Sequence, residues 1–145
     1  MGIKNNTPVS CFIMVKALSM ESSSEIIRGV IETERDAIGQ LLHQQQCNFE
    51  LLIDTLLSTQ GRVVLTGIGK SGIIATKIST TFASTGTPSF FLHPVEALHG
   101  DLGMLTKEDI VLMLSYSGET EEVLRLVPYL KTQGNKIISM TGSPT

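Results

Sequence analysis

Ile110-Val111-Leu112-Met113-Leu114-Ser115-Tyr116-Ser117-Gly118-Glu119-Thr120 joins an unbroken apolar run to a hydroxyl-rich turn, and Val123, Leu124, Leu126, Val127 and Leu130 follow at helical spacing. The run is strand-like and the segment after the turn has a period near 3.6, so the stretch predicts strand, turn, helix. Such a turn gathers the hydroxyls of Ser115, Ser117 and Thr120, a glycine, Gly118, that admits close approach to the backbone, and the unpaired N–H groups of a helix start. Together they make a cup for a phosphate or a sugar phosphate. A second account needs no ligand: Ser117 or Thr120 caps the helix while Glu119, Glu121 and Glu122 complement its dipole.

The same grammar repeats outward from this stretch. Residues 62–66 form a β-branched run, followed by glycine turns and a helix with Ile74, Ile78 and Phe82 one turn apart. Residues 89–92 are a second strand, entered through Gly86-Thr87-Pro88, and residues 136–140 a fourth. Upstream, Ile26, Ile27, Val30, Ile31, Ala37, Ile38, Leu41 and Leu42 trace the stripe of a long helix, with serines 22–24 as caps and Glu25 in its first turn; His43 is read as a solvated residue at its end. Leu51, Leu52, Ile53, Leu56 and Leu57 mark a second helix that stops near Gly61.

Strands alternating with helices imply parallel strands covered on both faces, because a parallel pair needs a long crossover. The fold class is therefore α/β with a doubly wound parallel sheet. In such sheets ligands bind beyond the carboxyl ends of the strands, where residues 67–72, 93–103 and 115–120 are expected to converge. Residues 1–20 are expected to be a disordered extension and residues 21–145 a domain either unusually short or incomplete at its C-terminus, since Ser143-Pro144-Thr145 falls just after the fourth strand.

Composition narrows the function. The chain has 145 residues, 41% hydrophobic and 17% charged, with a formal net charge of −3, which suits one globular domain. It has no basic cluster interleaved with aromatics, so a nucleic-acid partner is excluded. No apolar run approaches a membrane span. The mildly apolar residues 9–18 are interrupted by Lys16 and lack a small-residue cleavage site, which argues against secretion. Asn6 weakens a myristoylation reading of the Met-Gly start. Cys11 and Cys47 are far apart and form no C-x-x-C unit, so a reduced, cytoplasmic setting is expected.

Two more loops carry chemistry-bearing residues. Gly67-Ile68-Gly69-Lys70-Ser71-Gly72 has the G-x-G-x-x-G spacing between a strand and a helix. A dinucleotide site wants an acid about twenty residues on, at the end of the second strand, and Leu92-His93 stands there. A P-loop needs a glycine where Val64 lies. What remains is a phosphate-friendly loop with one lysine at its tip, or a plain tight turn with Lys70 solvated. The stretch from His93 to Gly103 holds His93, Glu96, His99 and Asp101. Their spacing matches no familiar zinc pattern, while a loop histidine at the mouth of a sheet suits proton transfer.

Taken together, TGIGKSG (residues 66–72), FASTGTPSFFLHPVEALHGDLGM (residues 82–104) and LSYSGETEEV (residues 114–123) resemble the sugar isomerase (SIS) domain, and within it the arabinose 5-phosphate isomerase family. The resemblance covers roughly residues 61–144. It implies a flavodoxin-like sandwich, assembly as a homo-oligomer (dimer or tetramer), and interconversion of D-ribulose 5-phosphate and D-arabinose 5-phosphate in supply of Kdo for lipopolysaccharide or capsule. Carried over by motif, Lys70, Glu122 and His99 are the catalytic residues. Gly69, Ser71, Gly72, Gly86, Thr87, His99, Ser115, Ser117, Gly118 and Thr120 meet the substrate. No cofactor is required by that chemistry, and zinc is the metal associated with the His93 position. Two further catalytic positions of the family fall, in family order, beyond Thr145, and Ile73 stands where the family usually has histidine. The expected mechanism places the 5-phosphate on Ser115, Ser117 and Thr120, with Glu122 as base, Lys70 as the cation facing the oxyanion and His99 assisting ring opening. The rival expectation is a binding module that holds the sugar phosphate without turning it over.

Overall fold

The computed structural model describes residues 22–42 and 49–142. The expectations for residues 1–20, for Cys11, His43 and Cys47, and for residues 143–145 lie outside the described residues. The chain divides into two compact units, residues 1–47 and 48–145. The described part of the first is one helix, α1 (Ser23–Leu41), whose start is held by the Glu25 carboxylate accepting the Ser22 N–H at 2.8 Å. That is the glutamate half of a capping box, as the serine–glutamate spacing predicts.

The second unit runs α2 (Phe49–Leu57), β1 (Val63–Gly67), α3 (Gly69–Ser84), β2 (Ser89–Phe91), α4 (Pro94–Leu98), a 3-10 turn (Asp101–Met104), β3 (Ile110–Leu114), α5 (Glu121–Leu124), α6 (Val127–Gln133) and β4 (Lys136–Met140). All four strands are parallel, in the order β2-β1-β3-β4. Every residue of β1 and β3 is buried, which is why both read as continuous apolar runs instead of alternating ones. Alternation reappears as a division between two faces. Val64, Val111 and Met113 pack with Leu92, Ala97, Val123, Leu126 and Leu130 under α4, α5 and α6. Val63, Leu65, Leu112 and Leu114 pack with Ala75 of α3, backed by Leu56, Ile78 and Phe82. Leu126 and Leu130 are essentially fully buried, each worth about 2 kcal/mol of transfer free energy.

The amphipathic segment after the turn is two helices, where its spacing predicts one. Pro128 sits in the first turn of α6, and a proline offers no N–H to the carbonyl one turn earlier. The chain stays near helical dihedrals through Arg125 and Leu126, so the interruption is a kink and the buried stripe continues across it. Gly134 then ends α6 with φ +88°. There the Gly134 and Asn135 N–H groups both donate to the Leu130 carbonyl at 3.0 Å, as a left-handed glycine cap allows.

At the amino ends of the strands, Asp109 ties β1 to β3. Its carboxylate accepts the Arg62 N–H at 2.8 Å, the Thr106 N–H at 2.9 Å and the Arg62 Nη2 at 2.7 Å. Burial pushes the Asp109 carboxyl up, but the hydrogen bonds and charge of Arg62 and the backbone donors outweigh it and hold the group below its ordinary value. Hydrogen bonding to Asp109 pushes the Arg62 guanidinium up against its own desolvation. That guanidinium also lies 4.8 Å over the Phe90 ring, on β2. One ion pair therefore fastens three neighbouring strands at the end opposite the glycine and serine loops.

Candidate functional site

The strand order makes β1 and β3 the central pair, with β2 outside one and β4 outside the other. Chains leaving the carboxyl ends of β1 and β3 turn to opposite sides, which opens a crevice between them. Gly67 and Leu114 are register partners, so residues 67–72 and 115–120 start side by side at that crevice. Convergence of these two loops, expected from sequence, is what the sheet produces.

The first wall is the 67–72 loop. Gly69 has φ +57°, a left-handed conformation that costs any other residue about 1–2 kcal/mol. Gly72 is pressed against the strand end: a Cβ there would lie 2.8 Å from the Gly67 carbonyl oxygen. These contacts bring the start of α3 against β1 and aim its free N–H groups at the crevice. Lys70 projects from that first turn, exposed, and enters no ion pair among the described residues. Ser71 is half-buried beside it.

The second wall is the 115–120 turn. Ser115 is buried, its Oγ 2.7 Å from Thr120 Oγ1 and accepting the Gly118 N–H at 3.1 Å. Ser117 Oγ accepts the Glu119 N–H at 3.1 Å, and its side chain is exposed. The hydroxyls thus divide their work. Ser115 spends its lone pairs inside the turn. When its proton goes to Thr120, the Thr120 proton is free to point outward with that of Ser117. Gly118, at φ +75°, supplies the tight backbone that the turn needs. Capping does not account for Thr120: it is the residue before α5, and its side chain makes no capping hydrogen bond.

The acids of α5 separate. Glu121 is exposed and bonded to Arg125 at 2.5 Å. Glu122 is half-buried and has no ion-pair partner among the described residues. The histidine stretch, read from sequence as a loop, is largely helical: α4 starts at Pro94, whose missing N–H costs nothing at a first helical position. His93 precedes α4 and His99 follows it, both exposed. Ala97 of α4 and Val123 of α5 share one core cluster, which sets His99 and Glu122 on neighbouring elements. His93 stands edge-on to Phe91, centroids 6.2 Å apart, and Phe91 Cζ lies 3.5 Å from where a Gly72 Cβ would be.

Gly86 and Thr87 are not brought to this crevice. They join the end of α3 to the start of β2, where the Pro88 carbonyl accepts the Val63 N–H at 2.9 Å, at the amino end of β1. In a parallel sheet that is the opposite pole from Lys70 and Ser117. A zinc site is not assembled either: among the described residues no group of three or more His, Cys, Asp and Glu side chains is placed to hold a metal, and His93 alone does not fit one. Two structural features beside these loops were not legible in the sequence. Thr66 Oγ1, on fully buried β1, has no hydrogen-bond partner among the described residues, and Gly142 lies under the Tyr116 ring; an isolated threonine in a strand and a glycine after one carry no distinctive signal.

Comparison with known proteins places the fold. Residues 56–145 match the SIS domain family. The chain is 48% identical over 130 residues to the arabinose 5-phosphate isomerase KdsD of Pseudomonas aeruginosa, covering 88% of this chain and 40% of that protein. It is 53% identical over 118 residues to the arabinose 5-phosphate isomerase KpsF of Escherichia coli O6:H1, covering 81% and 36%. The structure of E. coli CFT073 c3406 in complex with arabinose 5-phosphate superposes with a TM-score of 0.79 at 48% identity, covering 86% of this chain and 67% of that one. The chain spans about two fifths of the length of the curated relatives it matches. No helix among the described residues is long and apolar enough to cross a membrane.

Proposed function

Because this chain belongs to the SIS domain family, we propose that it supplies the sugar-phosphate-binding part of an aldose–ketose isomerase interconverting D-ribulose 5-phosphate and D-arabinose 5-phosphate. The observation that carries the reading is the pairing, across the β1–β3 crevice, of a loop whose lysine enters no ion pair among the described residues with a hydroxyl turn on the other side. Identities of 48% and 53% to proteins named arabinose 5-phosphate isomerase support the choice of sugar.

The Ser117 and Thr120 hydroxyls and the Gly118 backbone receive the 5-phosphate, with Ser115 holding the turn in shape. The N-terminal N–H groups of α3, in residues 69–71, add donors to the anion, the Gly72 N–H being already given to the Ile68 carbonyl. Glu122, half-buried, takes the proton from C2 of the open-chain aldose as O1 is protonated, giving the enediol, and returns it to C1 as O2 gives up its proton to become the ketose carbonyl. Lys70 faces the oxygen on which charge develops, and His99 moves the proton that opens the ring. No step passes through a metal. Gly86 and Thr87 reach a substrate only if a second copy presents them, so the same reading includes a homo-oligomer. It also includes a cytoplasmic setting and the supply of Kdo synthesis.

The test is an isomerase assay on D-ribulose 5-phosphate beside a titration of the chain with D-arabinose 5-phosphate. Binding with turnover supports the enzyme. Binding without turnover assigns this polypeptide to ligand recognition alone, and no binding overturns the site.

A further inference from the structure

We propose that Tyr116 is a positioning residue, its ring edge seated on the bare backbone of Gly142 so that the segment after β4 is latched to the hydroxyl turn. The inference rests on the reading of that turn as the phosphate seat and adds a part to it. β3 and β4 end their pairing at Leu114 and Met140, yet contacts between the two chains continue past the strands. The Ser115 N–H donates to the Met140 carbonyl at 3.1 Å, and the Gly142 N–H donates to the Tyr116 carbonyl at 2.9 Å. A Cβ on Gly118 would meet Thr141 Cγ2 at 3.6 Å. Residues 115–118 and 140–142 are therefore stitched at successive points.

The Tyr116 ring closes this seam. A Cβ on Gly142 would stand 2.6 Å from Tyr116 Cε2 and 2.8 Å from Cδ2, closer than side-chain atoms pack, so the ring occupies space that only glycine leaves. Tyr116 is 82% exposed as a residue even with this contact and belongs to neither core cluster. Burial of apolar area therefore does not explain its place. Its backbone does: Tyr116 lies between Ser115, which shapes the turn, and Ser117, which offers it to the ligand. Any shift of residue 116 carries both hydroxyls with it, and an anion site tolerates little misplacement.

The experiment uses the 145-residue chain titrated with inorganic phosphate and with D-arabinose 5-phosphate, read by the amide resonances of Ser117 and Gly118, for wild type, Gly142→Ala, Tyr116→Phe, Tyr116→Ala and the Tyr116→Ala/Gly142→Ala pair. Gly142→Ala is expected to weaken binding about tenfold at an unchanged unfolding midpoint. Tyr116→Phe is expected to bind as wild type, because the ring edge and not the hydroxyl makes the contact. The double variant should bind about as Tyr116→Ala does, since with the ring gone the added methyl meets only the residue-116 carbonyl oxygen, at 3.2 Å. Wild-type affinity in Gly142→Ala, or losses that simply add in the double variant, would overturn the latch. Exchange of the Gly142 amide hydrogen separates this failure from failure of the phosphate seat. Unchanged exchange in Tyr116→Ala overturns the latch even where phosphate binds. Faster exchange in a chain that binds no phosphate keeps the contact and removes its role in binding.

Discussion

Ser115 Oγ and Thr120 Oγ1 lie 2.7 Å apart, so the first and last hydroxyls of the turn between β3 and α5 share one proton and close it into a ring. Ser115→Ala opens that ring. The Gly118 N–H keeps its weaker bond to the Ser115 carbonyl at 3.2 Å, so the expected loss of stability is only about 1 kcal/mol. Sugar-phosphate affinity should fall further, by about tenfold, because Thr120 loses the partner that orients it. Denaturant unfolding and a binding titration on one preparation measure both, and equal affinity in the variant would remove Ser115 from the role.

Lys70 is exposed in the first turn of α3 with no anionic partner among the described residues, so Lys70→Met should leave stability within about 0.5 kcal/mol of wild type. Under the proposed function it lowers turnover by about a hundredfold in the active assembly. A variant with ordinary turnover would place the cation elsewhere.

Two glycines in one loop should respond differently. Gly72→Ala drives a methyl against the Gly67 carbonyl oxygen at 2.8 Å, where backbone cannot yield cheaply, and is expected to cost about 1–3 kcal/mol. Gly69→Ala meets open space and only the strain of φ +57°, about 1 kcal/mol. Urea midpoints that rank the pair the other way would show that α3 does not bear on β1 as described.

Asp109 sets the acid limb of stability. Its carboxyl titrates below the ordinary value when folded, so the stability it confers is present above the unfolded value of about 4 and is lost as pH falls through the lower folded value. Asp109→Asn should cost about 2 kcal/mol at neutral pH, because Arg62 is left half-exposed without its carboxylate. It should also flatten the decline of unfolding free energy below about pH 4. An Asn variant with the wild-type acid limb would assign that limb to other carboxylates.

Thr66 Oγ1 is buried and unpartnered among the described residues, so isosteric Thr66→Val should raise stability by about 1 kcal/mol. A fall measured by thermal or urea unfolding would mean that the hydroxyl holds a partner in solution.

Much of this architecture could be read from residue order. β1 and β3 announced themselves because both faces are covered, leaving no polar alternation to confuse. The glycine loop and the hydroxyl turn could be placed together because parallel strands put all their carboxyl ends on one side. Legibility failed where tertiary context decided. The stripe through Val123, Leu126 and Leu130 keeps its period across the Pro128 kink, so periodicity alone predicts one helix. Gly86 and Thr87 look like site residues within a motif, yet their chain position before β2 puts them at the far pole. The Tyr116–Gly142 contact joins residues on different strand ends, and nothing local in either segment encodes it.

The all-parallel order β2-β1-β3-β4 also governs how this chain reaches its native state. Ser89 meets Val63 across 26 residues, Asp109 meets Arg62 across 47, and Asn135 meets Asp109 across 26. None of the four strands can pair through a hairpin, so no sheet contact forms before a long loop has closed. Until then the Val63-Val64-Leu65 and Ile110-Val111-Leu112-Met113-Leu114 runs, destined to be wholly buried, stand open to other copies of themselves. The feature that creates the crevice thereby makes the nascent chain dependent on dilution, low temperature or a chaperone during the interval before β1 and β3 meet.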